Sequence, residues 1–272
     1  VNGFWPFASG CDHGTWIGLG AQVVNPDGTP VPLGHAVHGV EGVNSRLCLL
    51  PMSDVENKRD WHVAGLAGTG SHSIVVKDVF VPEHRALNVP DAIEGRAPGS
   101  ALNTGPLFKA PYYPFLNTAL AGPAPGIAQG MLDNFLARAD GRTLMAINMN
   151  QADMVRTHRQ VGDAAGKIKV ARLLLRENAE KITAAAEAGG ELATQDRIAC
   201  RLNCALAVDY SYKAAEIIFF ASGGSSLSLS SPIQRSLRDL LAVKSHYFMD
   251  LEGLQELSGM VALGRKPYTY IF

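Results

Sequence analysis

Residues 6–16, "PFASGCDHGTW", gather a serine, a glycine, a cysteine, an aspartate and a histidine in one short polar loop. Taken alone, the stretch reads as a hairpin connection in which Ser9, Gly10 and Asp12 serve turn geometry. A second small-residue cluster, Ser222–Gly224, closes a long apolar run. Glycines there either cap a helix or let its backbone approach a phosphate. Arg142, in "ARADGRTL", follows a helix-like stretch, where an arginine is ordinarily a solvated residue. His246 and Tyr247, in "RDLLAVKSHYF", offer an imidazole that titrates near neutral pH and a phenol. Thr69, Gly70 and Ser71 form a turn sequence with two hydroxyls. Metal chemistry is not expected. Cys200 and Cys204 lie one helical turn apart and Cys11 stands two residues from His13, but no four-ligand set with zinc spacing exists.

These groups need a scaffold, and the periodicity of the chain suggests one. Phe4, Trp5 and Phe7 precede the polar loop and "WIGLGAQVV" follows it, a composition suited to strands. "NPDGTPVP" (25–32) reads as a hairpin tip, "RLCLLPM" as a short strand and "SIVVKDVFVP" (73–82) as a strand closed by its proline. From about Tyr113 the period becomes helical. Val155, Gly162, Ala165, Ile168, Ala171, Leu175, Ala179 and Ile182 form one stripe of a long helix that ends at the paired glycines 189–190. A second long helix is expected from about Gln195 to Ala221, a third after Pro232, and a shorter one over about 116–138. The fold class expected is α+β, with a β domain over 1–110 followed by an antiparallel four-helix bundle over 111–272.

Composition narrows the function classes. Of 272 residues, 24 are Lys or Arg and 25 Asp or Glu, so no strong field favours nucleic acid or an anionic membrane. The longest apolar runs, such as "AAEIIFFA" (214–221), are too short to span a bilayer, and no signal peptide opens the sequence. The four cysteines show no CxxC pairing, which suits free thiols in a cytoplasm. No GxGxxG follows a strand, so NAD(P)H is not expected to bind this chain.

"FASGCDHGTW", "GLAGTGSHSIVVKDVFVPEHR" (65–85) and "ASGGSSLSLSSPIQRSLRDLLAVKSH" (221–246) occur in the order and at the spacing of the acyl-CoA dehydrogenase superfamily. Within it the chain most resembles the flavin-dependent monooxygenase branch, the oxygenase components of two-component aromatic hydroxylases. Members carry a helical domain ahead of the β domain. This sequence begins almost at the polar loop, so that N-terminal helical domain is expected to be absent from it.

The resemblance implies roles for particular residues. Phe7, Ala8 and Ser9 would lie against an isoalloxazine ring, with the Ser9 hydroxyl at flavin N5. Arg142, Ser222, Gly223 and Gly224 would meet the phosphate side, usually across a subunit boundary, which implies a homotetramer. Asp12 and His13 would hold the loop or face the pocket. Dehydrogenases of the superfamily keep a catalytic glutamate about eight residues beyond the "RD" pair, or on an earlier helix. Here the first place holds His246 and Tyr247, 112–132 contains no acid, and Glu252 would need a helix offset. A histidine suits a different reaction, in which reduced FMN or FAD and O₂ form a C4a-hydroperoxyflavin that hydroxylates a small phenolic substrate, with Ser9 and His246 as the catalytic pair. His246 would hold the peroxide by a hydrogen bond or take the phenol proton. A separate NAD(P)H-dependent flavin reductase would supply the reduced flavin. The alternatives are an acyl-CoA dehydrogenase with a non-standard base and a non-catalytic scaffold relative.

Overall fold

The computed structural model describes residues 1–145 and 147–272. It resolves into two compact units, one comprising Val1–Tyr113 with Ala185–Glu191 and Pro267–Phe272, the other Pro114–Ala184 with Leu192–Lys266.

The first unit is built from short antiparallel strands. These are β1 (Gly3–Trp5), β2 (Trp16–Gln22), β3 (Pro32–Val37), β4 (Val40–Val43), β5 (Ser45–Pro51), β6 (Glu56–Asn57), β7 (Ile74–Val76) and β8 (Ala86–Asn88). They pair in the orders β1-β7-β6, β2-β5-β8 and β3-β4. A short helix, α1 (Val89–Ile93), follows with Asn88 capping it through Asp91 N–H. The register of β2 on β5 sets Leu19 opposite Cys48 and Ile17 opposite Leu50. Leu19, Cys48 and Leu50 join Ile74, Val76 and Cys11 in one buried cluster, so the polar loop between β1 and β2 is anchored by the Cys11 side chain. In the β1-β7-β6 sheet the 73–82 strand stops early. Asp78 takes a left-handed φ of 51° and exchanges side-chain hydrogen bonds with Asn2, whose Oδ1 accepts from Asp78 N–H at 2.7 Å. Only Ile74–Val76 pairs, and Phe80 is left 86% exposed.

The second unit is helical. The shorter helix expected over 116–138 is two helices, α2 (Tyr112–Ala121) and α3 (Pro123–Ala139). Pro123 at the first position of α3 lacks the N–H that would continue α2. Next come α4 (Val155–Glu187), α5 (Thr194–Ser222), α6 (Pro232–Lys244) and α7 (Leu251–Ala262), the last not anticipated from the sequence. Ala124, Ala128, Met131, Leu132, Phe135 and Ala139 form the buried stripe of α3. The central helix is α5, buried along Ile198, Ala205, Val208, Ala215 and Ile218 and packed on α3, α6 and α7. An ion cluster ties it to α6. The buried Asp209 carboxylate receives Lys244 Nζ at 2.6 Å and Lys213 Nζ at 2.7 Å. Burial alone would raise its pKa, but hydrogen bonds from the two lysines outweigh that and hold the carboxyl below its ordinary value. Among the described residues no helix is long and apolar enough to cross a membrane, and no cluster of ligating side chains could hold a metal ion.

Candidate functional site

The polar loop lines a cavity of about 320 Å³ in the first unit, together with Trp5 and Trp16–Gly20. Its walls are pinned aromatics. Trp5 Nε1–H donates to Gly20 O at 2.6 Å, and the Arg85 guanidinium lies 4.7 Å from the Trp16 ring centroid. Phe7 is held with φ 60°, left-handed backbone that costs a non-glycine residue about 1–2 kcal/mol. The residue is 72% exposed and its ring meets Trp61 edge to face at 5.9 Å. A strained aromatic turned outward is a feature that surrounding structure must enforce.

The enforcement comes from residues 57–73. Ala8 N–H donates to His72 O at 3.0 Å and Gly10 N–H to Thr69 O at 2.8 Å, so the loop is laced to that segment by its backbone. Gly10 has φ 79°, and this conformation, rather than crowding, is what calls for glycine. Asp12 supplies a second side-chain anchor beside Cys11. Its Oδ2 accepts from His72 Nε2 at 3.1 Å, and its Oδ1 from Asn57 Nδ2 at 3.1 Å and Arg59 Nη1 at 3.0 Å. Trp61 N–H donates to His72 Nδ1 at 2.9 Å, which fixes the proton of a neutral His72 on Nε2, facing Asp12. Gly70 has φ 51°, and a Cβ there would press on Asp12 Oδ2 at 2.9 Å. Asp12 therefore holds the loop. His13 is exposed and Cys11 Sγ–H points inward to Gly70 O at 3.1 Å. Behind the loop, Ser9 Oγ lies 2.8 Å from the buried Ser71 Oγ, which lies 2.6 Å from Thr69 Oγ1.

Two further arrangements lie in the second unit. At the C-terminal end of α5, Ser222 O accepts from Arg142 Nη1 at 2.6 Å and from Arg138 Nη2 at 3.1 Å. Gln151 joins them, its Oε1 accepting from Arg142 at 3.2 Å and its Nε2 donating to Ala221 O at 2.8 Å. Two cations at a helix C-terminus suit its dipole. They also repel each other, and burial together with the Arg142 charge lowers the Arg138 pKa. Gly223 has φ 69°, and a Cβ there would lie 3.1 Å from Arg142 Nη2. The Ser222 hydroxyl is buried and turned back to Ile218 O at 2.7 Å, so it serves the helix end.

At the end of α6, His246 caps the turn Tyr247–Met249, its Nδ1 accepting from Phe248 N–H at 3.2 Å. The imidazole stacks on Phe248 with centroids 5.5 Å apart, and Phe248 in turn covers the Arg201 guanidinium at 5.3 Å. Although His246 lies at the surface, partial desolvation by these neighbours holds its pKa below the ordinary imidazole value. Tyr247 is 68% exposed. Nearby, Asp250 caps α7 through Gly253 N–H at 3.3 Å, and Glu252 is exposed in the first turn of that helix.

Residues 118–251 match the family model described as Acyl-CoA dehydrogenase, C-terminal domain. The chain is 32% identical to the FADH(2)-dependent resorcinol hydroxylase, oxygenase component, of Rhizobium sp. (strain MTP-10005), over 98% of this chain and 64% of that protein. It is 34% identical to the flavin-dependent monooxygenase, oxygenase subunit HsaA, of Mycobacterium tuberculosis, over 98% of this chain and 65% of that protein. The crystal structure of 3-HSA hydroxylase from Rhodococcus sp. RHA1 superposes with a TM-score of 0.89 at 30% identity, over 100% of this chain and 67% of that one. The chain belongs to the acyl-CoA dehydrogenase superfamily, in its flavin-dependent monooxygenase branch. It spans slightly under two thirds of the length of the two curated relatives.

Each unit of this superfamily member, taken by itself, carries groups that suit part of a flavin. In the first unit an exposed hydroxyl and an exposed aromatic border a cavity walled by tryptophans, as a ring edge and face require. In the second, two guanidiniums converge on one carbonyl beside a glycine with no Cβ, and among the described residues no carboxylate pairs with either. An anion would relieve their repulsion. Ser222 offers an anion no free hydroxyl, and its carbonyl serves to gather the two guanidiniums. Sequence reasoning did not single out His72, Asn57, Arg59 or Trp61, which hold the loop. The signal lay in "GTGSHS", where His72 sits between two hydroxyl-bearing positions that a strand ending would not require.

Proposed function

We propose that the chain is the oxygenase component of a two-component monooxygenase, taking reduced FMN or FAD from a separate NAD(P)H-dependent flavin reductase and using O₂ to hydroxylate a small phenolic substrate. When bound, the reduced flavin supplies the two electrons with which one oxygen atom enters the substrate and the other leaves as water. The observation that carries the reading is His246, an imidazole where a dehydrogenase of this superfamily needs a carboxylate. The names of the relatives, a resorcinol hydroxylase and HsaA-type oxygenase subunits, point the same way.

Ser9 would hold flavin N5 by a hydrogen bond, and Phe7 and Ala8 would lie along the ring. Arg142, with Ser222, Gly223 and Gly224 beside it, would receive the phosphate side. His246 has its Nδ1 lone pair engaged by Phe248 N–H, so its neutral ring carries the proton on Nε2. Outward it donates, which suits holding an oxygen. Accepting a phenol proton would require a change of tautomer and loss of the cap, so donation is the role the turn supports better. Tyr247 flanks the same surface. For the assembly we take α3–α6 as an antiparallel four-helix bundle, the oligomer as a homotetramer and the compartment as the cytoplasm.

The test is a stopped-flow experiment in which the anaerobic complex with FMNH₂ or FADH₂ meets oxygenated buffer. A transient absorbing species before oxidised flavin returns, and hydroxylated product when a phenol such as resorcinol is present, are expected. Bleaching of bound oxidised flavin by an acyl-CoA, with no transient on oxygenation, would replace this reading with a dehydrogenase.

A further inference from the structure

The three hydroxyls behind the polar loop form a chain whose direction follows from one carbonyl. Thr69 Oγ1 lies 2.8 Å from Leu66 O. Leu66 O also receives Thr69 N–H at 3.1 Å and Trp61 Nε1–H at 3.2 Å, but a carbonyl only accepts, and an oxygen–oxygen contact of 2.8 Å needs the single hydroxyl proton of Thr69 between the two. At the 2.6 Å contact between Thr69 and Ser71, Thr69 has no second proton and must accept from Ser71. At the 2.8 Å contact between Ser71 and Ser9, Ser71 has then spent its proton and must accept from Ser9. Ser71 is 4% exposed, which keeps bulk water from supplying a substitute donor. The proton of Ser9 therefore points into the protein. Toward the cavity Ser9 shows lone pairs alone.

We propose that Thr69 and Ser71 are positioning residues that make Ser9 an obligate acceptor, so that the site selects reduced over oxidised flavin. The inference rests on the reading of Ser9 as the N5 partner. In reduced flavin N5 carries a hydrogen and donates to the outward lone pair of Ser9. In oxidised flavin N5 bears only a lone pair, which meets another lone pair. An unmade hydrogen bond at a partly desolvated site costs more than a formed one gains, so the discrimination comes mainly from rejecting the oxidised form. The same polarity helps release: once the N5 hydrogen has gone, the contact that held the flavin becomes repulsive.

The experiment is an anaerobic titration of the full chain with FMNH₂ and with FMN, followed by flavin fluorescence or absorbance, giving the ratio of the two Kd values. The parent should bind FMNH₂ more tightly. Thr69→Val removes the head of the chain, frees the Ser71 proton to donate to Ser9 and lets the Ser9 proton turn outward. The preference should then shrink by about 3–10-fold, the worth of one neutral hydrogen bond. Ser71→Ala should shrink it by a similar factor and serves if Thr69→Val folds poorly. Thr69→Ser, which restores the hydroxyl, should keep the parental ratio, and in a Ser9→Ala background Thr69→Val should change nothing. If Thr69→Val and Ser71→Ala keep the parental preference while Ser9→Ala loses it, the relay is wrong and the flavin reading stands. A parent that binds FMNH₂ no better than FMN overturns both.

Discussion

Replacing Asp12 by asparagine keeps the size of the side chain that anchors the polar loop and changes only what it can accept. The carboxylate takes three donors, from His72, Asn57 and Arg59. An amide offers one oxygen and an NH₂ that must face a donor on one side. His72 has no lone pair to give on that side, because Trp61 N–H already occupies Nδ1 and leaves Nε2 protonated. The variant therefore loses a charge-assisted bond either to His72 or to the Asn57–Arg59 pair. Arg59 is 72% exposed and adds little through screened water. His72 is 12% exposed, and a hydrogen bond to a charged group there is worth about 1.5–3 kcal/mol. Asp12→Asn should cost about 2 kcal/mol and lower the unfolding midpoint by about 4–8 °C. Arg59→Ala should cost less than about 0.5 kcal/mol. The backbone bonds from Ala8 and Gly10 remain, so the loop loosens without leaving, and the Kd for FMNH₂ should rise by up to about tenfold. Thermal unfolding read by circular dichroism and anaerobic titration of both variants measure this. If Asp12→Asn unfolds at the parental midpoint and binds FMNH₂ as the parent does, the loop is held by its backbone bonds and the buried Cys11, and Asp12 is no anchor.

Gly223→Ala forces a side chain into left-handed backbone and against Arg142 Nη2, so it should weaken FMN or FAD binding through a displaced guanidinium, measurable as a raised Kd. His246→Asn keeps an acceptor for Phe248 N–H while His246→Ala removes it; both should lose hydroxylation by about 10²–10⁴-fold if the imidazole acts on the reacting oxygen or proton, but the alanine variant alone should also lose about 1 kcal/mol of stability in denaturant titration. The Asp209 carboxyl is held below its ordinary value, so its contribution is complete above the unfolded-state pKa of about 3.9 and is lost as pH falls through the lower folded-state value; acid unfolding followed by fluorescence should therefore move to higher pH in Lys244→Met.

The helical half was legible because helix termini are written locally. Pro232 at the first position of α6 and the glycine pair after α4 mark ends that the structure places at Pro232 and Glu187. The break between α2 and α3 is equally local, carried by Gly122-Pro123, but the apolar period runs through it and hides it. The strand half was harder to read. What ends β7 is a bond between Asp78 and Asn2, 76 residues apart, and no local propensity encodes that. The site shows the same divide. The residue types in "FASG" and "SGG" are visible in sequence, whereas the commitment of the Ser222 hydroxyl to Ile218 O and the link from Asp12 to His72, 60 residues away, depend on packing.

The two proposed catalytic side chains share one physical device. In each, a backbone group that does not titrate decides which way a proton faces: Leu66 O sets the direction at Ser9, and Phe248 N–H sets it at His246. The first holds at any pH, because no member of that chain ionises near neutrality. The second holds only while His246 is neutral. Protonation puts a hydrogen on Nδ1 against the Phe248 N–H and must break the cap, and the lowered pKa of His246 delays that event on acidification. Because the folded-state pKa lies below the unfolded value of about 6.5, stability from this turn is complete above that value and falls as pH drops toward the folded one. Loss of hydroxylation and loss of order at 246–249 should therefore follow one titration. Two separate midpoints, one for activity and one for amide exchange at Phe248, would show that the imidazole acts free of the turn that presents it.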